Sequence, residues 1–426
     1  MTPSPVVSRT PRANATPVCL RGAMPAGRRR DRGAVLVHVA VAMMGLLAFS
    51  ALTIDLGTLW VARAQAQNAA DAAALSAGVS LAYIDETDMP AARAAAEVVA
   101  GTHSVWGDPV LGPALSTAVG ACPTGSPAIA GVCANVTVSR RTTTGTALPV
   151  FFSRMFGATS NEMWASASAK VMLGNATACV RPLAIVDRWN DLRDTTAPID
   201  AMWTADDTFD AYDAAGNVVP GVNDGYVPPD ATSPNSGWAL SHVRPSPSLT
   251  FRLTDPALPV PLAADQMIAF DLARAGGHPD PIFRYEENLG SCGGTQATLG
   301  DLVASIFPHR GHYTTEPLDA LVAADNGASW DEGAQVIRGS LFPVSPRLIT
   351  IAVIDPDDFS RQNRTGGADP TLRVRNLVGF FVEDALESGG EVLVRGRLSR
   401  TSGMYDGSAP TLVSEASFLR TVALVR

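Results

Sequence analysis

A run of 21 residues without a formal charge, residues 34–54, constrains this chain more than any other feature of its sequence. It reads AVLVHVAVAMMGLLAFSALTI, and His38, about one turn from its start, is its only ionisable residue. As a helix the run would be about 30 Å long, the thickness of the hydrocarbon core of a bilayer. A buried core helix rarely runs this long with so few polar breaks. The sequence therefore predicts a transmembrane helix over residues 34–54, with the lipid bilayer as its surroundings.

The charges that flank this run predict its orientation. Residues 1–33 contain seven arginines and one acidic residue, a net charge of +6, while the whole chain carries −9. Positively charged flanks stay on the cytoplasmic side, so we expect a cytoplasmic N-terminus and a periplasmic or extracellular C-terminal domain. Residues 1–33 are predicted to be a disordered basic tail. The acidic main body argues against a nucleic-acid partner, because phosphate binding needs a basic face.

A cleaved signal peptide is the rival interpretation of residues 34–54. The apolar run is longer than the core of a typical signal peptide, and the sequence after it continues as a helix. Residues 55–82 contain no proline and are rich in alanine, which favours helix. We expect one continuous helix from about residue 33 to 82, about 75 Å long, and call residues 55–82 the stalk helix. Trp60 would lie near the outer headgroup layer.

Polar residues and one glycine on the stalk helix form its predicted assembly face. Arg63, Gln67 and Asp71 are four residues apart, so neighbours can pair. The alanine-rich faces would allow close helix packing, as small residues do. An ordinary solvated helix surface is the simpler alternative to contact with partner helices. The predicted face consists of Asp55, Gly57, Arg63, Gln67, Asn68 and Asp71.

The order of these residues resembles that of a known family. Arg32-Gly33 precedes the span, Asp55-Leu56-Gly57 follows it, and QNAADAAAL begins at Gln67. Over residues 32–79 the chain resembles the N-terminal domain of the Tad-like family, named for the TadG-type component of the Flp (tight adherence) pilus system. The resemblance implies a non-catalytic pilus-assembly component in the bacterial inner membrane. It also implies other single-span pilus-assembly proteins as partners, with a homo-oligomer through the stalk helix as a further option. A surface adhesin or minor pilin that binds an external ligand is the alternative.

The chain departs from type IV-type prepilins at one position. Those proteins carry a glycine before the apolar run and a glutamate five residues after the cut. Here Gly33 is in place, but the fifth position is His38. A prepilin would use the missing carboxylate to pair with a neighbouring N-terminus. We therefore predict that Gly33 is not a prepilin-peptidase site and that the tail stays attached.

The remainder of the chain predicts an α+β fold in two parts. Residues 83–173 read as a small α+β unit, with helices at 90–101 and 148–156, a loop at 104–131, and strands at 134–142 and 162–173. Residues 174–426 read as a mostly β exported domain with frequent proline and glycine. Its predicted strands lie at 183–186, 248–252, 267–272, 348–354, 379–383, 391–398 and 417–425, and its predicted helices at 299–306 and 317–325.

Four of the five cysteines fall in the predicted exported part. Cys19 would be cytoplasmic and a free thiol, whereas Cys122, Cys133, Cys179 and Cys292 form an even set in an oxidising compartment. Three pairings are open, and we favour 122–133, which brackets a local loop, together with 179–292. Metal binding is the alternative, but no C-x-x-C pair exists.

The sequence contains no catalytic motif that we can identify. G-x-S-x-G, H-E-x-x-H and a phosphate-binding glycine-rich loop are all missing, so neither an enzyme nor a cofactor is predicted. An exported hydrolase is the least favoured function. His309 and His312 have metal-ligand spacing, although two exposed loop histidines are the simpler interpretation. Asp355, Asp357 and Asp358 would suit calcium chemically, but their spacing does not match an EF-hand.

Overall fold

The computed structural model of the protein describes residues 31–84, 88–120, 122, 132–190, 204, 207–213, 216–220, 224–230, 236–256, 262–273, 276–293, 296–363 and 370–425. The predicted basic tail up to residue 30, with Cys19, lies outside them. The described residues form two compact units. The first comprises residues up to Thr58 together with Val150–Thr159, and the second comprises Leu59–Pro149 and the chain from Ser160 onward.

The described residues contain five α-helices. They are α1 (Asp31–Tyr83), α2 (Met89–Gly101), α3 (Pro281–Gly290), α4 (His312–Ala324) and α5 (Pro356–Asn363). The prediction of one long N-terminal helix is confirmed, because α1 runs for 53 residues without a break. Helix α2 begins where the sequence indicates, with the Asp88 side chain accepting a hydrogen bond from the Ala91 N–H at 2.9 Å.

Eleven strands of five or more residues lie in the described part of the chain. They are β1 (Leu115–Gly120), β2 (Cys133–Arg140), β3 (Met163–Leu173), β4 (Val180–Val186), β5 (Leu249–Leu253), β6 (Gln266–Phe270), β7 (Leu302–Ile306), β8 (Leu348–Ile354), β9 (Thr371–Ser388), β10 (Glu391–Ser399) and β11 (Leu419–Val425). The shorter strands are Ser104–Val105, Asp108–Pro109, Ala176–Thr177, Thr208–Phe209, Leu262–Ala263, Ala297–Thr298, Ser329–Asp331, Val336–Arg338 and Thr401–Ser402. Four 3-10 turns span Gly112–Ala114, Thr142–Thr144, Ser153–Phe156 and Leu240–Val243.

The first sheet packs on the second half of α1. Its order is β11, β3, β2, β1, with Thr401–Ser402 added beside β11, and β11, β3, β2 and β1 pair antiparallel. The inward residues of β2 and β3 alternate, as a strand with one covered face requires. They meet a row of fully buried alanines on α1. The last strand, β11, thus belongs to a sheet whose other long strands end by residue 173.

Two predictions for residues 83–173 are wrong. The predicted loop at 104–131 contains β1, whose alternating residues pair with β2 from Leu115 to Gly120. The predicted helix at 148–156 is only a 3-10 turn at Ser153–Phe156. Its first residue, Leu148, exchanges two backbone hydrogen bonds with Asn161 at 2.8 and 3.0 Å, so the chain there is extended.

The second sheet closes on itself. Its order is β7, β6, β4, β8, β9, β10, β5, and the last strand, β5, also pairs with β6. The pairings therefore run in a ring of six strands, with β7 bridging β6 and β9 at one side. Strands β4 and β8 are parallel neighbours. The prediction of a mostly β domain is confirmed, and the fold is α+β.

Both faces of this sheet are covered, so its central strands are buried throughout. Along β4, Leu183 and Ile185 join one apolar cluster, while Ala184 and Val186 join another on the opposite face. The first cluster includes residues of α3 and α4, and the second includes residues of the loops around Phe209. A continuous apolar strand is what two covered faces require.

The prediction of a helix at 299–306 is wrong. Gly300 adopts a left-handed conformation with φ +94°, which ends any helix there. Residues from Leu302 onward then form β7, whose Val303 pairs with Leu372 of β9. The predicted helix at 317–325 exists but starts earlier, as α4. Helices α3 and α5 have no counterpart in the prediction, and the domain boundaries stay predictions.

Candidate functional site

Asp55, the first charged residue after the apolar run, binds a loop of its own chain. Its carboxylate accepts hydrogen bonds from the backbone N–H groups of Phe151 at 3.1 Å, Phe152 at 3.1 Å and Ser153 at 2.6 Å. The Ser153 hydroxyl donates a further hydrogen bond. These groups lie at the start of the 3-10 turn at Ser153–Phe156 and in the two residues before it. Asp55 therefore caps that turn from a distant part of the sequence.

The same contacts keep Asp55 ionised. The hydrogen bond from the Ser153 hydroxyl, followed by those from the three backbone N–H groups, lowers the pKa of the carboxyl group, and burial opposes this. The side chain is nevertheless covered, since the residue is only 3% exposed. The buried Asp55 carboxylate accepts hydrogen bonds from four donor groups of this loop. These bonds hold the loop strongly, because a buried donor or acceptor that loses its hydrogen-bond partner costs free energy.

Gly57, two residues later, is exposed on the surface of α1. A Cβ atom built there meets no atom within 4 Å. The backbone at this position is helical, so its conformation does not require a glycine. Glycine in a helix interior costs about 1 kcal/mol relative to alanine. No contact among the described residues explains why this position is a glycine.

The other predicted assembly residues divide into two groups. Gln67 and Asp71 are half-buried and pair with each other, the Gln67 amide donating to the Asp71 carboxylate at 2.7 Å. Gln67 also donates to the Ser166 carbonyl of β3 at 3.1 Å. Arg63 and Asn68 are exposed. Asp55, Gln67 and Asp71 therefore make contacts within the protein, whereas Gly57, Arg63 and Asn68 are exposed.

A second set of residues on α1 forms a stripe that is exposed at both ends and half-buried in its middle. Val61, Ala64, Asn68 and Val79 are exposed. Ala72 and Leu75, between Asn68 and Val79, are half-buried. The three- and four-residue steps place all six on one side of the helix. We call these six residues the exposed stripe.

The alanines that dominate the stalk helix face the interior of the protein. Ala66, Ala70, Ala73 and Ala77 are fully buried, together with residues of α2 and of the first sheet. Gly78 lies in the same contact, where an added Cβ would come within 2.7 Å of Val422 and 3.1 Å of Ala169. The small residues thus allow α1 to approach its own sheet closely.

The structure contains two disulfides among its described residues. Cys122 is joined to Cys133, with Cα atoms 5.0 Å apart, and Cys179 to Cys292, with Cα atoms 5.1 Å apart. The first joins the chain shortly after β1 to the first residue of β2. The second ties the residue before β4 to the chain after α3.

The acidic residues considered for calcium are occupied by partners from the protein. Asp355 accepts hydrogen bonds from the N–H groups of Asp357 and Asp358, both at 2.9 Å, and so caps α5. Arg375 lies 2.7 Å from Asp355, and Arg373 lies 3.1 Å from Asp358. Part of the following loop, residues 364–369, lies outside the described residues. In the described part of the chain, no group of three or more His, Cys, Asp or Glu side chains could hold a metal ion.

The two histidines with metal-ligand spacing contact aromatic rings. The ring of His309 lies 5.3 Å from that of Phe307. His312 begins α4, and its ring lies 4.2 Å from that of Tyr313.

The sequence prediction missed a buried carboxylate at the end of β4. Asp187 accepts hydrogen bonds from the Trp238 N–H at 2.7 Å, the Arg188 N–H at 3.1 Å and the Tyr226 hydroxyl at 2.8 Å. Burial raises the pKa of Asp187 to about 7, and the charge of Asp355 acts in the same direction. The signal in the sequence was that an aspartate directly follows each of the parallel neighbours β4 and β8. The contacts indicate a structural role, because Asp187 fixes the chain around Trp238.

Comparisons with known proteins bear only on the N-terminal region. No curated protein and no solved structure matches the chain significantly. Among the described residues, one helix, Val35–Tyr83, is long and apolar enough to cross a membrane by length and composition. Residues 33–82, 50 of the 426, match the family described as putative Flp pilus-assembly TadE/G-like, and this part of the chain is therefore similar to a TadE/G-like domain.

Proposed function

We propose that the protein is a non-catalytic, membrane-anchored assembly component of a Flp-type pilus or a related surface apparatus. The observation that carries the proposal is the TadE/G-like match at residues 33–82, which includes both the apolar run and the stalk helix. Apart from His38, the large side chains from Val35 to Phe49 are exposed and apolar, as a lipid-facing segment requires. In this function α1 crosses the bacterial inner membrane once.

The proposed orientation rests on the arginines before the span. Arg28, Arg29, Arg30 and Arg32 precede it, and Arg63 is the only basic residue in the stalk helix. This difference favours a cytoplasmic N-terminus and a periplasmic or extracellular C-terminal domain. An oxidising compartment outside the cytoplasm also suits the two disulfides.

The proposed partners are other single-span pilus-assembly proteins or a second copy of this chain. The exposed stripe supplies a narrow helical surface of small and apolar residues with one amide, at Asn68. Such a surface can pack closely against another helix, and the amide can donate a hydrogen bond across the contact. Gly57 supports the same idea, because it is exposed and no contact in the part of the chain that the structure describes requires a glycine there.

Site-specific photo-crosslinking in cells with the pilus system tests this function. A benzoylphenylalanine at Asn68 should give adducts with a small single-span protein or with a second copy of the chain. The matched control is Arg93, which is exposed on α2 but outside the exposed stripe. Absence of adducts at Asn68, or equal adducts at Arg93, would contradict the proposed assembly surface.

A surface adhesin or minor pilin is the second candidate function. It is favoured by a cavity of about 500 Å³ whose lining includes Tyr83, Trp330, Ile337 and Phe342. Leu341, beside it, is 81% exposed. Shearing of cells separates the two functions: co-purification with the filaments would favour the adhesin or pilin, and retention in the membrane fraction would favour the assembly component.

A further inference from the structure

We propose that the Phe151-Phe152 segment is a second membrane contact, which inserts its two rings into the headgroup layer next to Asp55. This inference rests on the proposed function, because it requires that α1 crosses the bilayer. The segment would be an additional surface that binds lipid, about 100 residues away from the span in sequence. We call residues 150–157 the phenylalanine loop.

Hydrogen bonds fix the position of the phenylalanine loop relative to the span. The N–H groups of Phe151 and Phe152 are both bonded to the Asp55 carboxylate. Asp55 directly follows the 21 uncharged residues 34–54, which as a helix cover about 30 Å. If that run fills the hydrocarbon core, Asp55 lies where the core ends and the headgroups begin. The two phenylalanines are then held at the same depth.

The chemistry of the phenylalanine loop suits a bilayer interface. Phe151 is 52% exposed and Phe152 is 39% exposed, although both are among the most apolar side chains. Arg154, which follows them, is also exposed. Exposed aromatic rings beside an arginine are typical of segments that lie at the headgroup layer of a bilayer. The rings insert between the lipids, and the guanidinium group contacts the lipid phosphates.

The burial of α1 near Asp55 is consistent with a loop on one side and lipid on the other. Ala51, one turn before Asp55 on the same side of the helix, is only 8% exposed. Leu52, Ile54 and Leu56, on other sides, are each about half exposed. Ala51 lies within the uncharged run, so the covered side of the helix begins inside the predicted span.

Spin labels on the full-length protein in phosphatidylethanolamine–phosphatidylglycerol vesicles test the proposal. In a Cys19→Ser background, single cysteines replace Phe151, Phe152, Val41 or Leu341. Val41 lies mid-span and is the membrane reference, while Leu341 is the exposed apolar reference outside the TadE/G-like domain. The measurement is the ratio of collisions with oxygen, which concentrates in lipid, to collisions with water-soluble nickel-EDDA.

The expected result is a ratio at positions 151 and 152 that lies between those at positions 41 and 341. Equal ratios at 151, 152 and 341 would overturn the lipid contact while leaving the span intact. A water-like ratio at position 41 would instead overturn the proposed function. Protection of 151 and 152 from both reagents would indicate a protein partner, and it too would overturn the proposal. Asp55→Ala should move the ratio at position 152 toward that at 341.

Discussion

The Asp55 carboxylate accepts a hydrogen bond from the Ser153 N–H at 2.6 Å, although the two residues are 98 positions apart in sequence. The bond joins the end of the apolar run to the 3-10 turn that follows the phenylalanine pair. The D-x-G sequence after the span thus has at least one role inside the protein, which its position on an exposed helix did not suggest.

Replacement of Asp55 should loosen that turn. Asp55→Ala removes the acceptor for three backbone N–H groups and one hydroxyl, so the amides of residues 151–153 should exchange hydrogen faster. Hydrogen–deuterium exchange with mass spectrometry measures this. Asp88→Ala is the matched control, because Asp88 caps α2 in the same way and should expose only the start of that helix. Unchanged exchange at 151–153 in Asp55→Ala would contradict the capping role.

Enlargement of Gly78 should destabilise the contact between α1 and the first sheet. Gly78→Val places atoms against Val422 and Ala169, and overpacking of this kind costs about 1–3 kcal/mol. Gly57→Ala is the matched control, since its Cβ meets open space, and it should be neutral or stabilising by up to about 1 kcal/mol. Thermal unfolding in detergent compares the two variants with the parent. Equal effects would mean that Gly78 is not a packing requirement.

The buried Asp187 should make stability depend on pH. Its pKa is about 7 in the folded protein and about 3.8 when exposed, so the folded state binds more protons between these values. Stability therefore falls as pH rises from about 4 to 7 and is constant above that range, with a total loss of up to about 4 kcal/mol. Asp187→Asn should remove this slope.

A second variant separates this effect from a general loss of packing. Tyr226→Phe removes a hydroxyl that donates to the charged carboxylate, so the pKa of Asp187 should rise further. The pH range over which stability falls should then extend upward. Chemical denaturation between pH 4 and 9 gives the profiles, and parallel profiles for parent and Asp187→Asn would refute the assignment.

The two disulfides should differ in what they contribute to stability. On the loop-entropy model, loss of the Cys122–Cys133 bridge, which closes 11 positions, costs about 3 kcal/mol. Loss of the Cys179–Cys292 bridge, which closes 113 positions, costs about 4–5 kcal/mol. Denaturation of the paired Cys→Ser variants tests this order, and peptide mapping without reductant checks the pairing. Free thiols at all four positions in the protein purified from its native host would argue against both bridges.

Local pattern was enough to predict some elements and not others. Helix α1 follows from alanine and the lack of proline. Strand β8 was predicted with its observed bounds, because six apolar residues and one threonine sit between a proline-arginine pair and Asp355-Pro356. The segment 302–306 is short and mostly apolar. A segment of this kind has no periodicity that distinguishes a strand from a helix. Its pairing with β6 and β9, remote in sequence, decided the outcome.

The same limit applies to the candidate site. The Gln67–Asp71 pair follows from helical spacing. The partners of Asp55, and the Ser166 carbonyl that Gln67 also contacts, lie about 100 residues away and cannot be seen from local sequence. The alanines were expected to allow contact between helices. Most of those in the stalk helix pack inside their own chain, because a helix rich in small residues fits a sheet as well as another helix.

The position of β11 has a consequence for the timing of folding. The first sheet needs residues 419–425 beside β3, yet β3 ends at residue 173 and about 250 further residues separate them. At ordinary rates of synthesis that interval lasts about ten seconds or longer. During this interval the edge of β3 that later pairs with β11 has no neighbouring strand. The buried alanines of α1 are then covered by a sheet that still lacks β11. The nascent chain therefore has an interval in which this edge is open to other strands, and a chaperone that binds it would act before residue 419 emerges.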